Sequence, residues 1–305
     1  MFPSIAIIIP TCNWADRIEP CLQMIVKQKY EGKLELIAID CGSTDGTKKM
    51  LKAYGFKVLE HRNTWPDGLN GLVNYGIKKS SSDLIWKVDG DNIMKDENVL
   101  QGILKPFLEI PKLNVSIPFP EPCESFKSFT NFQSILEALY LREVYEAGTN
   151  FGSYSVVNDL WHGLPNSSLF RREDILDVGG WDRDIRILMR LRDSGKSKAA
   201  LVPGAKFYHD QRSGPKDYMI KMSKRLNFFN QIDEFFKNDY FVKWDYKSES
   251  LVEKEYNIAL HSIILFIKTR QLEYLWGIIL PFLDLAVAFS KLPASIKLWK
   301  HNSIK

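Results

Sequence analysis

Several features that mark large classes of protein are scarce in this sequence. The 305 residues include only four cysteines, which show neither CxxC spacing nor the histidine pattern of a zinc site. The first residues do not combine a charged segment, a long apolar stretch and a small-residue cleavage site, so we expect no cleaved secretion signal. The net charge of +4 does not by itself indicate nucleic-acid binding. We therefore expect no disulfide framework, no nucleic-acid partner and a reducing, cytoplasmic compartment.

Long hydrophobic runs are also missing. The most apolar stretch, 278–289, is shorter than the about 20 apolar residues that span a bilayer, and it contains Pro281 and Asp284. We interpret it as a packed or interfacial helix. A lysine-containing tail follows, and apolar surface beside lysines is typical of a helix that lies on an anionic membrane. Packing against another helix, or against a second subunit in a homodimer, is the alternative.

A regular alternation of strand and helix patterns fills the first part of the chain. Alternation of this kind implies a mostly parallel sheet flanked by helices and joined by right-handed crossovers. The pattern then loosens, and beyond about residue 215 helices dominate. The predicted strands are 4–10, 34–39, 56–59, 84–88, 114–118 and 199–203, with a further candidate at 167–170, and the predicted helices are about 15–28, 66–79, 97–108, 129–147, 171–178 and 184–194.

Two carboxylates one residue apart, Asp89 and Asp91, directly follow the apolar run at 84–88. In open α/β sheets, ligands bind beyond the carboxyl ends of the strands. Two carboxylates placed there repel each other unless a cation joins them, and a hard divalent ion that also binds phosphates suits oxygen ligands. A plain turn is the alternative, since Asp and Gly are both turn formers.

Five short motifs occur along the chain in a definite order. They are IIIPTCN at 7–13, DCGSTDGT at 40–47, GLNGLVNYGI at 68–77, DGD at 89–91 and VGGWD at 178–182. Together they resemble the inverting glycosyltransferases of family 2, over roughly residues 4–210. The resemblance implies the GT-A fold, which is α/β and Rossmann-like with a mostly parallel central sheet flanked by helices, here followed by a C-terminal helical extension. We expect a glycosyltransferase domain at 1–215 and a helical region, membrane-interfacial or oligomerising, at 216–305.

The resemblance also implies roles for individual residues. Those implied in binding the nucleotide sugar are Pro10, Thr11, Asn13, Asp40, Gly68, Asn70, Asp89 and Gly90. Asp40 suits the N–H of uracil or guanine, and capping of its own turn is the alternative. From the residues alone Asn70 and Asn74 are expected to support the loop, although the family pattern places them near the donor. Asp91 and Asp89 are implied to hold a divalent cation, Mn²⁺ or Mg²⁺. His209 is the candidate third ligand, and a structural role is its alternative.

The acceptor hydroxyl needs a base, which the family places on a helix shortly after the GGWD turn. Asp184 occupies that position, with Asp182 as the substitute and helix capping as the alternative role. The chain departs from the family pattern because Arg183 and Arg186 stand where acidic neighbours are usual. Guanidinium groups lower the pKa of an adjacent carboxylate and weaken it as a base, although they also bind phosphate by bidentate pairing.

The expected acceptor side consists of Trp161, His162, Arg183 and Arg186. The implied reaction moves a sugar from a UDP- or GDP-linked donor to a glycan or lipid-linked hydroxyl by metal-assisted single displacement with inversion, at the cytoplasmic face of a membrane. A retaining transferase on the same fold is one alternative, and a non-catalytic nucleotide- or carbohydrate-binding module is another. A nucleotidyltransferase is disfavoured, because residues 10–13 lack the glycine- and arginine-rich loop of that class.

Overall fold

The computed structural model describes residues 2–61, 68–123, 134, 137–138, 141–142, 144–158, 167–182 and 184–210, without the side chains of 184–186 and 189. The chain divides into two compact units, one of Met1–Cys123 with Ser134–Gln211 and one of Glu124–Gln133 with Arg212–Lys305. The whole second unit lies outside the described residues, as do the predicted helical region at 216–305 and its apolar stretch. The domain boundary near 215 therefore stays a prediction. No helix in the described ranges is long and apolar enough to cross a bilayer.

The described strands form a single sheet. They are β1 (Ile5–Thr11), β2 (Leu34–Asp40), β3 (Lys57–Glu60), β4 (Leu84–Lys87), β5 (Asn92–Met94), β6 (Val115–Pro120), β7 (Thr149–Asn150), β8 (Ser155–Val157), β9 (Leu169–Arg171) and β10 (Ala199–His209). Their order across the sheet is β3-β2-β1-β4-β9-β6-β10-β8-β7, and β5 pairs with β10.

Strand direction determines where the functional edge lies. The strands β3, β2, β1 and β4 run parallel to one another, as do β6 and β10. The short strand β9 lies between these two groups and runs antiparallel to both β4 and β6. Therefore β4, β6 and β10 point the same way, and the carboxyl ends of β1, β2, β4 and β10 meet at one edge. The predicted α/β class is confirmed.

Helices flank the sheet. They are α1 (Glu19–Val26), α2 (Thr47–Ala53), α3 (Gly68–Lys79), α4 (Val99–Glu109), α5 (Arg172–Asp177) and α6 (Asp184–Asp193), and the described residues between 134 and 147 are helical as well. The helix predicted from residue 15 begins later, because backbone hydrogen bonds to the Trp14 carbonyl form a turn there first. Pro20 lies in the first turn of α1, where its missing N–H leaves no intrahelical bond unmade.

Both faces of the sheet are buried. Ile5, Ile7 and Ile9 belong to one hydrophobic core, whereas Ala6 and Ile8, on the opposite face of the same strand, belong to the other. All seven residues of β1 are buried. This burial explains why β1 is a continuous apolar run rather than an alternating one.

Some expectations about strands were wrong. The last one, predicted at 199–203, extends to His209, because a register shift between Val202 and Lys206 lets the pairing with β6 continue past the proline and glycine between them. The strand β6 runs through to Pro120, two residues beyond the predicted end at 118. The short strand β5 and the hairpin of β7 and β8 were not predicted. On α1, Val26 is 44% exposed.

Candidate active site

The turns that follow β1 and β2 are hydrogen-bonded to each other. The Asn13 side-chain Oδ1 accepts from the Thr44 N–H at 2.9 Å, and the Asn13 N–H donates to the Ser43 hydroxyl at 2.8 Å. Asn13 has a left-handed φ of 52°, a conformation that asparagine tolerates. The Trp14 N–H donates to the Thr47 hydroxyl at 2.8 Å. The two turns therefore form one continuous surface at the carboxyl edge of the sheet.

Asp40 ends β2 and is fully buried. One carboxylate oxygen accepts from the N–H groups of Gly42 and Ser43 at 2.9 and 2.7 Å, and the other accepts from the Ser43 hydroxyl at 2.5 Å. Asp40 thus caps its own turn, and its contact with a base stays a prediction. Thr11, its register partner on β1, is 3% exposed, and its hydroxyl has no hydrogen-bond partner within the described ranges. Pro10 is buried inside β1.

A disulfide joins Cys12 and Cys41, the residues that directly follow β1 and β2. Because Thr11 and Asp40 are register partners, the cysteines after them are neighbours, with Cα atoms 5.2 Å apart. That separation lies in the normal range for a disulfide. The pair is 29 residues apart in sequence and meets only through strand pairing, so spacing did not indicate it. One bridge is not a framework, but it counts against the inference of a reducing compartment.

The predicted carboxylate pair lies in a tight turn after β4, at 89–92, which we call the carboxylate turn. A backbone hydrogen bond of 3.0 Å to the Asp89 carbonyl closes this turn. A Cβ at Gly90 would lie 2.8 Å from the Trp14 ring, so only glycine fits between the turn and its neighbour. The Asp91 Oδ2 lies 3.5 Å from Nε2 of His209. The turn after β4 and the end of β10 therefore bring an acid and an imidazole together.

His209 is the last residue of β10, and its side chain is only 11% exposed. Burial opposes its protonation, but the hydrogen bond and negative charge of Asp91 prevail, so the pKa of His209 is raised above its usual value. The chain continues to pair here, because the Asp210 N–H donates to the Asp91 carbonyl at 2.8 Å. The backbone thus keeps these two side chains at a fixed separation.

Sequence reasoning missed Lys87, the last residue of β4. Its Nζ lies 2.6 Å from Oδ2 of Asp89, and its side chain is only 2% exposed. The same Nζ lies 5.8 Å from the centre of the Trp181 ring, in the GGWD turn. The available signal was a charged residue inside the apolar run at 84–88. This ammonium group links the carboxylate turn to the turn that precedes α6.

The helix α3 holds the GGWD turn in place. The Asn74 Oδ1 accepts from the Trp181 N–H at 2.6 Å, and its Nδ2 donates to the Trp181 carbonyl at 2.9 Å. Gly180 has a φ of 100°, and a Cβ there would lie 2.6 Å from Asn74 Oδ1. Asn74 therefore supports the turn. Gly68, the first residue of α3, also has a positive φ, 48°.

The two candidate bases differ in what the structure says of them. Asp182 accepts a hydrogen bond of 3.3 Å from Nδ2 of Asn70 at one oxygen and forms an ion pair of 3.0 Å with Nη2 of Arg190 at the other. Asn70 therefore contacts this turn, and its role at the donor stays a prediction. Asp184 is the first residue of α6. Its side chain lies outside the described residues, as do Trp161, His162, Arg183 and the side chain of Arg186.

The fit of these residues to a divalent cation rests on the Asp91–His209 pair. The described residues contain no group of three or more His, Cys, Asp or Glu side chains that could hold a metal. Asp91 faces His209, whereas Asp89 is paired with Lys87, so the expected three-ligand cluster is not formed. Mg²⁺ in proteins commonly takes one or two carboxylates and completes its shell with phosphates and water. The donor set fits an ion that arrives with a phosphate ligand better than a preformed protein cage.

Known proteins with similar sequences are transferases of sugars. The chain is 26% identical over 187 residues to the poly-beta-1,6-N-acetyl-D-glucosamine synthase of Staphylococcus aureus (strain MSSA476), covering 59% of this chain and 42% of that protein. It is 28% identical over 168 residues to glycosyltransferase AglE of Haloferax volcanii, covering 52% of this chain and 55% of that protein. The chain thus spans about half the length of the curated relatives it matches.

Solved structures share the fold. Mannosyltransferase PcManGT from Pyrobaculum calidifontis, in complex with GDP-Man and Mn²⁺, has a TM-score of 0.56 at 18% identity, covering 100% of this chain and 81% of that one. The glucosyl-3-phosphoglycerate synthase of Mycobacterium tuberculosis, with Mn²⁺ and UDP-Glc, has a TM-score of 0.52 at 17% identity, covering 75% and 78%. At these identities the likeness concerns the fold alone, and it confirms the predicted GT-A architecture.

The family model of glycosyl transferase family 2 matches residues 6–178. This match covers more than half of the chain and includes the first four motifs in their expected order. Three of these motifs lie at the ends of β1, β2 and β4, which meet at one edge of the sheet, and the fourth lies on α3. The chain therefore belongs to glycosyl transferase family 2.

Proposed function

We propose that this chain transfers a sugar from a UDP- or GDP-linked donor to a hydroxyl of a glycan or lipid-linked acceptor, with inversion at the anomeric carbon. The observation that carries the proposal is the meeting of three groups at one sheet edge. The β1 and β2 turns, the Asp91–His209 pair and the turn leading into α6 all lie there. A nucleotide, its diphosphate and a hydroxyl acceptor need three such groups in the same neighbourhood.

The nucleotide end of the donor is assigned to the surface formed by the β1 and β2 turns. The buried Thr11 hydroxyl has no hydrogen-bond partner among the described residues, so it suits a hydrogen bond to the base or ribose. Hydrogen bonds from Asn13 to Ser43 and Thr44 keep this surface rigid, so the two turns need little ordering when a ligand binds. Asp89, at the adjoining turn, is the candidate for the ribose.

Asp91 and His209 are the residues that would hold a divalent cation. When bound, Mn²⁺ or Mg²⁺ neutralises charge on the departing diphosphate as the sugar–oxygen bond breaks. The imidazole of His209 would ligate a cation only in its neutral form, which Asp91 disfavours by raising the pKa of His209. The backbone hydrogen bond from the Asp210 N–H to the Asp91 carbonyl keeps both groups in place.

The base is assigned to Asp184. It would take the proton from the acceptor hydroxyl as that oxygen attacks the anomeric carbon from the side opposite the diphosphate. Asp182 is the weaker candidate, because both of its oxygens are already engaged, one by Asn70 and the other by Arg190. In this reading Asp182 orients the start of α6.

Substitutions test the two roles separately. Asp91→Asn is expected to abolish most transfer and to weaken Mn²⁺-dependent donor binding, with Asp177→Asn, an exposed carboxylate on α5, as the control. Asp184→Asn is expected to lower turnover about a hundredfold or more while donor affinity holds. If Asp182→Asn is inactive and Asp184→Asn is active, the base assignment is wrong. Full activity in EDTA together with an active Asp91→Asn variant would reject the metal site.

The product identifies the mechanism. GDP-mannose and UDP-glucose, the donors named for the two structural neighbours, are the first to screen, by thermal shift with Mn²⁺. The anomeric configuration of the product, read by NMR, should be opposite to that of the donor. A retained configuration would assign the chain to the retaining alternative. Donor binding without transfer or hydrolysis for any acceptor would assign it to the non-catalytic alternative.

We further propose that the acceptor is reached at the surface of a membrane. The support is the apolar stretch 278–289 followed by a lysine-containing tail, and the phosphate-binding chemistry of Arg183 and Arg186. The full-length protein is expected to float with anionic liposomes at low salt and less so at high salt. If it stays at the bottom with anionic and neutral liposomes alike while forming a defined oligomer, the stretch is a packing element.

A further inference from the structure

Lys87 contacts the carboxylate turn in a way that none of the motifs explains. It ends β4, where its register partner on β1 is Ile8, a residue of the core beneath the site. Its ammonium nevertheless lies 2.6 Å from Asp89 Oδ2, with 2% of the side chain exposed. The face of the Trp181 ring, 5.8 Å away, is a second favourable contact for a cation. A buried lysine in this position is retained against a large desolvation cost.

The fixed positive charge changes the electrostatics of the turn. Asp89 and Asp91 alone would present two negative charges to a divalent cation. With Lys87 in contact with Asp89, the combined charge of Asp89, Asp91 and Lys87 is −1, and the Lys87 ammonium repels a divalent cation that approaches the turn. A diphosphate reverses this situation, because its negative charges attract both the divalent cation and the lysine.

We propose that Lys87 is a positioning residue that makes cation binding at this turn depend on the diphosphate of the donor. This inference rests on the proposed function, since it takes the Asp89–Asp91 turn to be the metal and diphosphate site. In the free protein, Lys87 holds Asp89 and suppresses cation binding. In the presence of a nucleoside diphosphate, the divalent cation and the nucleotide bind with strong mutual enhancement. The cation and the nucleotide therefore bind together because of the fixed positive charge of Lys87.

The experiment measures binding of Mn²⁺, by the electron paramagnetic resonance signal of the free ion, with no activity assay. Wild type, Lys87→Met and Lys29→Met are titrated with Mn²⁺ alone and then with saturating GDP or UDP. Methionine keeps an unbranched apolar stem of similar length without the charge. Lys29 is the control, because it is an exposed lysine that also pairs with a carboxylate, that of Glu97. The measured quantity is the ratio of the Mn²⁺ dissociation constants without and with nucleotide.

Removal of the Lys87 charge is expected to tighten binding of Mn²⁺ alone by about tenfold and to lower the coupling ratio by about the same factor. Lys29→Met should match wild type, and Lys87→Arg, which keeps the charge, should retain most of the coupling. Lys87→Gln provides a second neutral variant if Lys87→Met does not fold, as judged by circular dichroism.

The outcomes separate this inference from the function on which it rests. An equal coupling ratio in wild type and in the neutral variants, or weaker binding of Mn²⁺ alone in those variants, overturns the role of Lys87. Wild-type protein that binds nucleotide but no Mn²⁺, with or without it, overturns the metal site itself.

Discussion

Gly180→Ala tests how the turn before α6 is held. Gly180 has a φ of 100°, where an alanine is strained by about 1–2 kcal/mol. The new Cβ would also lie 2.6 Å from Asn74 Oδ1, and the amide must move away. That movement breaks the two hydrogen bonds with the Trp181 backbone, at about 1 kcal/mol each. We expect the free energy of unfolding to fall by about 3–4 kcal/mol, measured by urea denaturation.

Two further variants isolate the contact from the strain. Gly195→Ala has a φ of 72° with nothing within 4 Å of the new Cβ, so it should cost only the strain. In an Asn74→Ala background the clash is gone, and Gly180→Ala should likewise cost only the strain, a coupling of about 2 kcal/mol. The reasoning is refuted if Gly180→Ala costs the same in both backgrounds, or no more than Gly195→Ala.

Three other predictions follow from contacts far from α6. Replacing Cys12 and Cys41 together by serine should lower the free energy of unfolding by about 3–4 kcal/mol, because their bridge closes a 29-residue separation in the unfolded chain; equal urea midpoints for variant and wild type would contradict this. The Ser4 hydroxyl and N–H, just before β1, donate hydrogen bonds to Asp83 and lower its pKa. The ionised Asp83 therefore stabilises the fold above pH about 4, and this stabilisation is lost as the pH falls through the lowered pKa. The difference in urea midpoint between wild type and Asp83→Asn, measured at several pH values, should therefore disappear below pH about 4. A difference that does not change with pH would show that the Asp83 charge does not stabilise the fold. Leu22→Ala should lower the free energy of unfolding by about 2–5 kcal/mol, because Leu22 is buried. Val26→Lys should change the free energy of unfolding little, because Val26 is 44% exposed.

The parallel half of the sheet is well predicted from the sequence because its signals are local. The strands β1 and β4 are buried on both faces, so each is a continuous apolar run whose end is marked by polar residues. The carboxylate turn could be located for the same reason. The order of the motifs then identified the family, which the match over residues 6–178 confirms.

The parts that were missed depend on contacts between distant residues. The strands β5, β7 and β8 have two or three residues each, too few for any periodicity to appear. The Cys12–Cys41 bridge exists only because β1 and β2 are in register. Lys87 is an interruption of an apolar run until the fold places its ammonium beside Asp89. A sequence pattern reports which face a residue occupies, but it does not report the partner on that face.

The close packing at Gly90 has an optical consequence. It places the Trp14 ring directly against the carboxylate turn. The Trp181 ring lies 5.8 Å from the Lys87 ammonium, which contacts the same turn. Indole emission responds to nearby charge, and paramagnetic Mn²⁺ quenches it at short range. The site thus contains its own reporters, and titrations of Trp14→Phe and Trp181→Phe variants would show from which side a bound ion approaches. No label is needed to follow the order in which nucleotide and cation arrive.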